Sequence, residues 1–142
     1  MAASVEHFYR RFLFGAAALT FGAAGAELLL VEHYADRLQV LPFVMIGLGL
    51  LTTVWAWRAP SLRSIRAVRW TAGAVVLGSV AGIVLHAKGN VEFALEVTPN
   101  EPLASLIWDA VSGASPLLAP GMLALAAILA AAATYRHPAL VR

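Results

Sequence analysis

Residues 58–69 read RAPSLRSIRAVR, four arginines with no acid among them. Two apolar runs free of Asp, Glu, Lys and Arg flank the stretch: LQVLPFVMIGLGLLTTVWAW at 38–57 and WTAGAVVLGSVAGIVLHA at 70–87. Each run is close to the roughly 20 residues that a helix needs to cross about 30 Å of hydrocarbon. A short arginine-rich segment between two such runs reads as a cytoplasmic loop, because short loops rich in Lys and Arg stay on that side.

The composition extends this reading to the whole chain. Of its 142 residues, 61% are hydrophobic and 13% charged, against roughly 25% charged in a soluble domain. Mean hydropathy is +0.78. There is no cysteine, which excludes disulfides, thiolate metal sites, c-type haem attachment and a cysteine nucleophile. A net charge of +2 and a pI near 9.5 do not point to nucleic acid, because the arginines cluster at the ends of apolar runs.

Outward from the arginine loop, two further runs have spanning length. Residues 12–31 carry Glu27 as their single charge, and residues 117–135 carry none. A cleavable secretory signal competes for the first run, with Arg10-Arg11 ahead of it and Ala24-Gly25-Ala26 as a small-residue pattern. The apolar run continues through Leu28 to Val31, which favours a retained span. Gly78 to Gly82, and the Ala18, Gly22 and Ala26 series, are small-residue faces expected to pack within one bundle.

Residues 88–115 form the longest polar connection. Within it, 90–97 fits a short helix or a strand equally well, and Thr98-Pro99-Asn100 is a turn. Leu103, Leu106, Ile107, Ala110 and Val111 then recur with helical period, bounded by Pro102 and Gly113. About eleven residues cannot span, so this segment is expected to lie on the membrane surface or to cap the bundle, with Leu103, Leu106 and Ile107 shielded together.

The expected fold is therefore an all-α integral membrane protein. It is a single membrane domain, a four-transmembrane-helix bundle with spans at about 12–31, 38–57, 70–87 and 117–135. An extracytoplasmic loop at 88–115 carries a short amphipathic surface helix between spans three and four. Arg10, Arg11, Arg58, Arg63, Arg66, Arg69, Arg136 and Arg142 fall on one face, with only Arg37 and Lys88 on the other. The positive-inside rule then predicts N-in and C-in, in the cytoplasmic (inner) membrane if the source is prokaryotic.

Ionisable groups concentrate at the outer end. Glu27 and His86 lie at similar depths near the outer boundary of spans one and three, and ionisable groups so placed usually face the interior with a partner. Glu32, His33, Glu92 and Glu96 could surround them. Mixed carboxylate and imidazole ligands suit a divalent metal. His33 and His86 on different helices could hold a b-type haem axially. A Glu–His pair could relay protons or hold a cation. None of these has a diagnostic spacing: there is no H-E-x-x-H and no paired histidine on one helix face. In the bland alternative Glu27 pairs with Arg37 or Lys88, and His33 is solvated. Arg58, Arg63, Arg66 and Arg69 could meet lipid head groups, although a role as topology anchor suffices for them.

No glycine-rich phosphate loop and no serine–base spacing is present. The leading expectation is a small membrane protein that acts by binding, an accessory subunit with a membrane-protein partner or a second copy of itself. The rivals are a metal- or b-haem-binding electron-transfer subunit and a small oligomeric transporter or channel. The mid-span regions lack charge, which opposes midplane ion binding.

Overall fold

A computed structural model describes residues 2–140, so Arg142, one of the basic residues expected on one face, lies outside the described residues. The chain is all-helical: α1 Ala2–Leu30, α2 Arg37–Arg58, α3 Leu62–Val97, α4 Leu103–Ser112 and α5 Leu118–Ala133, followed by a 3₁₀ turn at Pro138–Leu140. Three of these helices, α1, α2 and α3, are long and apolar enough to cross a membrane. At 16 residues, α5 is about 24 Å long and falls short of that length.

Local sequence sets the helix boundaries. Asp36 and Gln39 form a capping box at the start of α2, and Ser61 and Ser64 form one at the start of α3, so the connection between these two helices is only residues 59–61. Arg63, Arg66 and Arg69 consequently lie in the first turns of α3. At its other end α3 continues through residues 88–97, which corrects the expectation that these belong to the polar connection and settles 90–97 as helix. The physical reason is the lack of a proline before Thr98-Pro99, with Gly89 costing the helix only about 1 kcal/mol, helped by the Lys88–Glu92 ion pair of 3.4 Å one turn apart. At 36 residues, α3 is about 54 Å long, well beyond the hydrocarbon thickness.

Helices α1, α2, α3 and α5 form a bundle in which α2 packs on α1 and α3, and α5 packs on the same two from the other side. The core has two layers. One joins Phe21, Ala24, Ile46, Ala72, Val75, Leu123, Ala126 and Ala127; the other joins Phe14, Ala17, Ala56, Ile65, Val68, Ala130 and Ala133. The buried alanines of α5 allow neighbouring backbones to approach closely, and such packing carries helix association where lipid is as apolar as leucine. Gly78 and Gly82 serve the same end: a Cβ would lie 2.8 Å from Met45 at the first and 3.2 Å from Pro120 at the second.

The small-residue face of α1 is a correction. Gly22 and Ala26 are exposed, and nothing approaches Gly22 within 4 Å. The packed face is instead Phe14, Ala17, Phe21 and Ala24, with Gly15 against Trp57 and Gly25 against Ile46.

The end of α5 is held by two arginines. Arg69 donates from Nε to Thr134 Oγ1 and from Nη2 to the Thr134 carbonyl, both at 3.0 Å. Arg10 Nη2 donates to the carbonyls of Tyr135 and Arg136 at 3.3 and 3.0 Å. These cations satisfy carbonyls that a helix C-terminus leaves without partners, and they complement its dipole. Nearby, half-buried His137 accepts a hydrogen bond at Nδ1 from the Ala139 N–H at 3.1 Å. Burial, and secondarily the Arg10 guanidinium, lowers the pKa of His137 from 6.5. The folded chain thus favours neutral His137, and below about pH 6.5 the unfolded chain takes the proton more readily. Thermal stability in detergent is expected to fall as the pH drops from 7 to 5, and His137→Gln should flatten that dependence. An unchanged pH profile in the variant would remove His137 from the account.

Helix α4 forms where expected, with Pro102 at its N-cap and Gly113 at its C-cap. The expected joint shielding of Leu103, Leu106 and Ile107 is corrected: Leu106 is half-buried, but Leu103 and Ile107 are 73% and 60% exposed. Helix α4 docks on α3 by its other edge, through Asn90. Asn90 Nδ2 donates to the carbonyls of Ala110 and Ser115 at 3.3 and 3.0 Å, and Oδ1 accepts from the Ser115 N–H at 2.9 Å. The apolar edge of Leu103, Ile107, Trp108 and Val111 therefore faces outward.

Candidate functional site

The end of the bundle away from the arginine-rich termini brings together two of the histidines singled out from sequence. His33 sits in the turn after α1 and His86 near the far end of α3. Their rings lie 6.3 Å apart between centroids and within 19° of parallel. Helices α1 and α3 stand diagonally across the bundle and do not pack on each other, so the two imidazoles bridge that diagonal.

Both positions are fixed by backbone structure. The last turn of α1 closes in a Schellman motif: the His33 N–H donates to the Leu28 carbonyl at 2.9 Å and the Glu32 N–H to the Leu29 carbonyl at 3.2 Å. Glu32 occupies the left-handed position of that motif with φ of 53°, where glycine is the usual residue. The motif turns the chain so that His33 folds back beside the helix end. His86 precedes Asn90 by one turn on α3, so the clasp that anchors α4 also fixes the segment that carries His86. Glu32→Gly is expected to raise stability by about 1 kcal/mol by relieving the left-handed backbone. A thermal midpoint that falls instead would show that the Glu32 side chain holds the turn.

The carboxylates do not join the pair. Glu27, Glu32, Glu92 and Glu96 are all exposed, and Glu92 pairs with Lys88. Among the described residues, no three His, Asp or Glu side chains gather as a metal-ligand set. Glu27 makes no ion pair among the described residues, so the alternative pairing with Arg37 or Lys88 is not seen either. What remains is a two-imidazole arrangement. The two rings lie near-parallel in a stacked pair, with no third His, Asp or Glu side chain gathered beside them among the described residues.

At the opposite end, the four arginines of 58–69 separate into different roles. Arg63 and Arg66 are exposed on α3, Arg69 is bonded to Thr134, and Arg58 lines a cleft with Arg11 and Trp57. The part of Arg10 and Arg69 in closing α5 was not legible in the sequence, because their acceptors, the Thr134 hydroxyl and three backbone carbonyls, lie more than sixty residues away. No protein-family model, curated protein or solved structure matches the chain.

Proposed function

We propose that the chain is a small membrane-embedded binding subunit whose outer end holds one divalent transition-metal ion between His33 and His86. The observation that carries this reading is the 6.3 Å near-parallel pairing of these rings across helices that otherwise do not touch. Neutral imidazole suits zinc, copper, nickel and iron. Two ligands are fewer than the three or four that protein zinc sites supply. The remaining positions then belong to water or to groups on a second chain, which is what makes an accessory subunit of a membrane complex the fitting role. A second copy of this chain could supply the same groups.

The membrane placement that goes with this reading has four crossings, with both termini in the cytoplasm. Support comes from the arginines, eight of ten basic residues falling at one end. It also comes from α5, which is free of charge and lies in the core between α1 and α3. The exposed apolar edge of α4 then rests at the outer membrane surface.

A second reading is favoured by the same bridge across the diagonal: axial ligation of a b-type haem by His33 and His86, which would make the chain an electron-transfer subunit. An absorption spectrum with elemental analysis of one detergent-purified sample separates the two. The metal reading expects a transition metal near one per chain without a Soret band. The haem reading expects iron with a Soret band. In either case His33→Ala and His86→Ala should each lower occupancy at least about tenfold, with Glu27→Gln without effect. A wild-type preparation that stays metal-free and colourless after incubation with zinc or haemin contradicts both.

A further inference from the structure

We propose that Arg11, Trp57 and Arg58 form a binding site for a phosphate group at the end of the bundle opposite the histidine pair. The three residues line a cleft of ≈ 390 Å³ between the start of α1 and the end of α2. The Trp57 ring packs on α1 beside Gly15, where a Cβ would come within 3.5 Å of it. Arg11, one turn before Gly15, lies over that ring at 6.0 Å from its centroid. Arg58 follows Trp57 directly.

The donors at this cleft lack acceptors. The indole Nε1 of Trp57 is buried and has no hydrogen-bond partner among the described residues, although indole N–H is a donor only and buried donors are normally paired. The ion pairs among the described residues are Glu6–Arg10 and Lys88–Glu92. The hydrogen bonds formed there by arginine side chains are those of Arg10 and Arg69. Two guanidinium groups thus line the cleft with no anion supplied by the chain, and the Trp57 ring forms its floor beneath Arg11. Guanidinium binds phosphate oxygens through paired N–H donors, and tryptophan favours the depth at which lipid phosphates lie. The shared chemistry is a phosphate oxyanion, carried by an anionic phospholipid or free in the cytoplasm.

Native mass spectrometry of the full chain in detergent tests this, with phosphatidylglycerol and phosphatidylcholine offered in competition. The wild type is expected to retain phosphatidylglycerol with roughly tenfold or greater preference, since each basic residue near the surface favours anionic lipid several-fold. Arg11→Gln with Arg58→Gln should abolish the preference. Arg63→Gln with Arg66→Gln should leave it unchanged, and circular dichroism should show every variant folded. Inorganic phosphate that fails to displace the lipid identifies the phospholipid as the ligand; displacement identifies the free anion, with the site still supported. Equal retention of the two lipids without phosphate binding overturns the proposal, as does a preference that the Arg63/Arg66 pair lowers as much as the Arg11/Arg58 pair.

Discussion

Replacing Gly49 with leucine is expected to drive α1 and α2 apart and to lower the thermal midpoint in detergent by roughly 5–10 °C. Gly49 is buried in α2, and the ring of Phe21 from α1 rests directly on its Cα. Even a single Cβ would meet the ring at 2.5, 2.7 and 2.9 Å. Phe21 has no room to retreat, being 1% exposed within the layer that also holds Ile46, Leu123 and Ala127. Overpacking of this kind costs about 1–3 kcal/mol for a small insertion, and leucine adds four carbons. Intrinsic helix propensity pulls the other way, since leucine is better in a helix than glycine by under about 1 kcal/mol. The packing effect is larger, so the variant should be destabilised. Phe21→Ala alone should also destabilise, by leaving a cavity. Combined with Gly49→Leu it should cost less than the sum of the single changes, because the new side chain occupies the vacated space. A midpoint for Gly49→Leu equal to or above the wild type would mean that the two helices do not meet here.

Asn90→Asp is expected to undock α4 while leaving the four-helix core assembled. The change is nearly isosteric. It preserves the acceptor for the Ser115 N–H and replaces the donor facing the Ala110 and Ser115 carbonyls with an oxygen. Asn90 is 4% exposed, so those carbonyls lose a buried partner and face a like-signed group, at a cost of about 1–3 kcal/mol for each bond lost. Hydrogen exchange should show it: amides of 103–115 should lose protection, while those of 14–24 and 123–133 keep theirs. Gly113→Ala should give the same pattern from the other side, since its Cβ would lie 2.5 Å from Asn90 Cγ and 2.7 Å from the Asp109 carbonyl. Gly113 has φ of −66°, open to any residue, so the demand here is for space. Protection of 103–115 unchanged in both variants would contradict the clasp.

The contrast between these two sites shows what the amino-acid sequence carries. The long apolar helices were legible because length and hydropathy are local properties. Helix α4 was legible because Pro102, Gly113 and a 3.6-residue period bound it. The pairing of His33 with His86 was among the expectations because both lie at the same end of their runs. The inward face of α1 was not legible, since a helix apolar all round carries no moment to orient it. The small series Ala18, Gly22, Ala26 suggested a seam, and the chain uses Phe14, Ala17, Phe21 and Ala24. The central position of α5 was hidden for the same reason, alanine being neither marked for core nor for surface. The continuation of α3 through residues 88–97 was not legible because Gly89-Asn90 and the polar residues beyond a membrane-length run resemble a loop, whereas no proline stops the helix before Pro99. The carboxylates were expected around the histidines from their shared depth at one end of the spans, and depth does not fix helix register, which turns Glu27, Glu92 and Glu96 outward.

Pulsed electron paramagnetic resonance on the detergent-purified chain loaded with one equivalent of Cu²⁺ counts the imidazoles on the ion. The account predicts two coordinated imidazoles in the wild type, one in His33→Ala and one in His86→Ala, with the His7 and His137 variants unchanged from the wild type. A single imidazole in the wild type, or a signal that persists unaltered when His33 or His86 is removed, would contradict a metal site bridging α1 and α3.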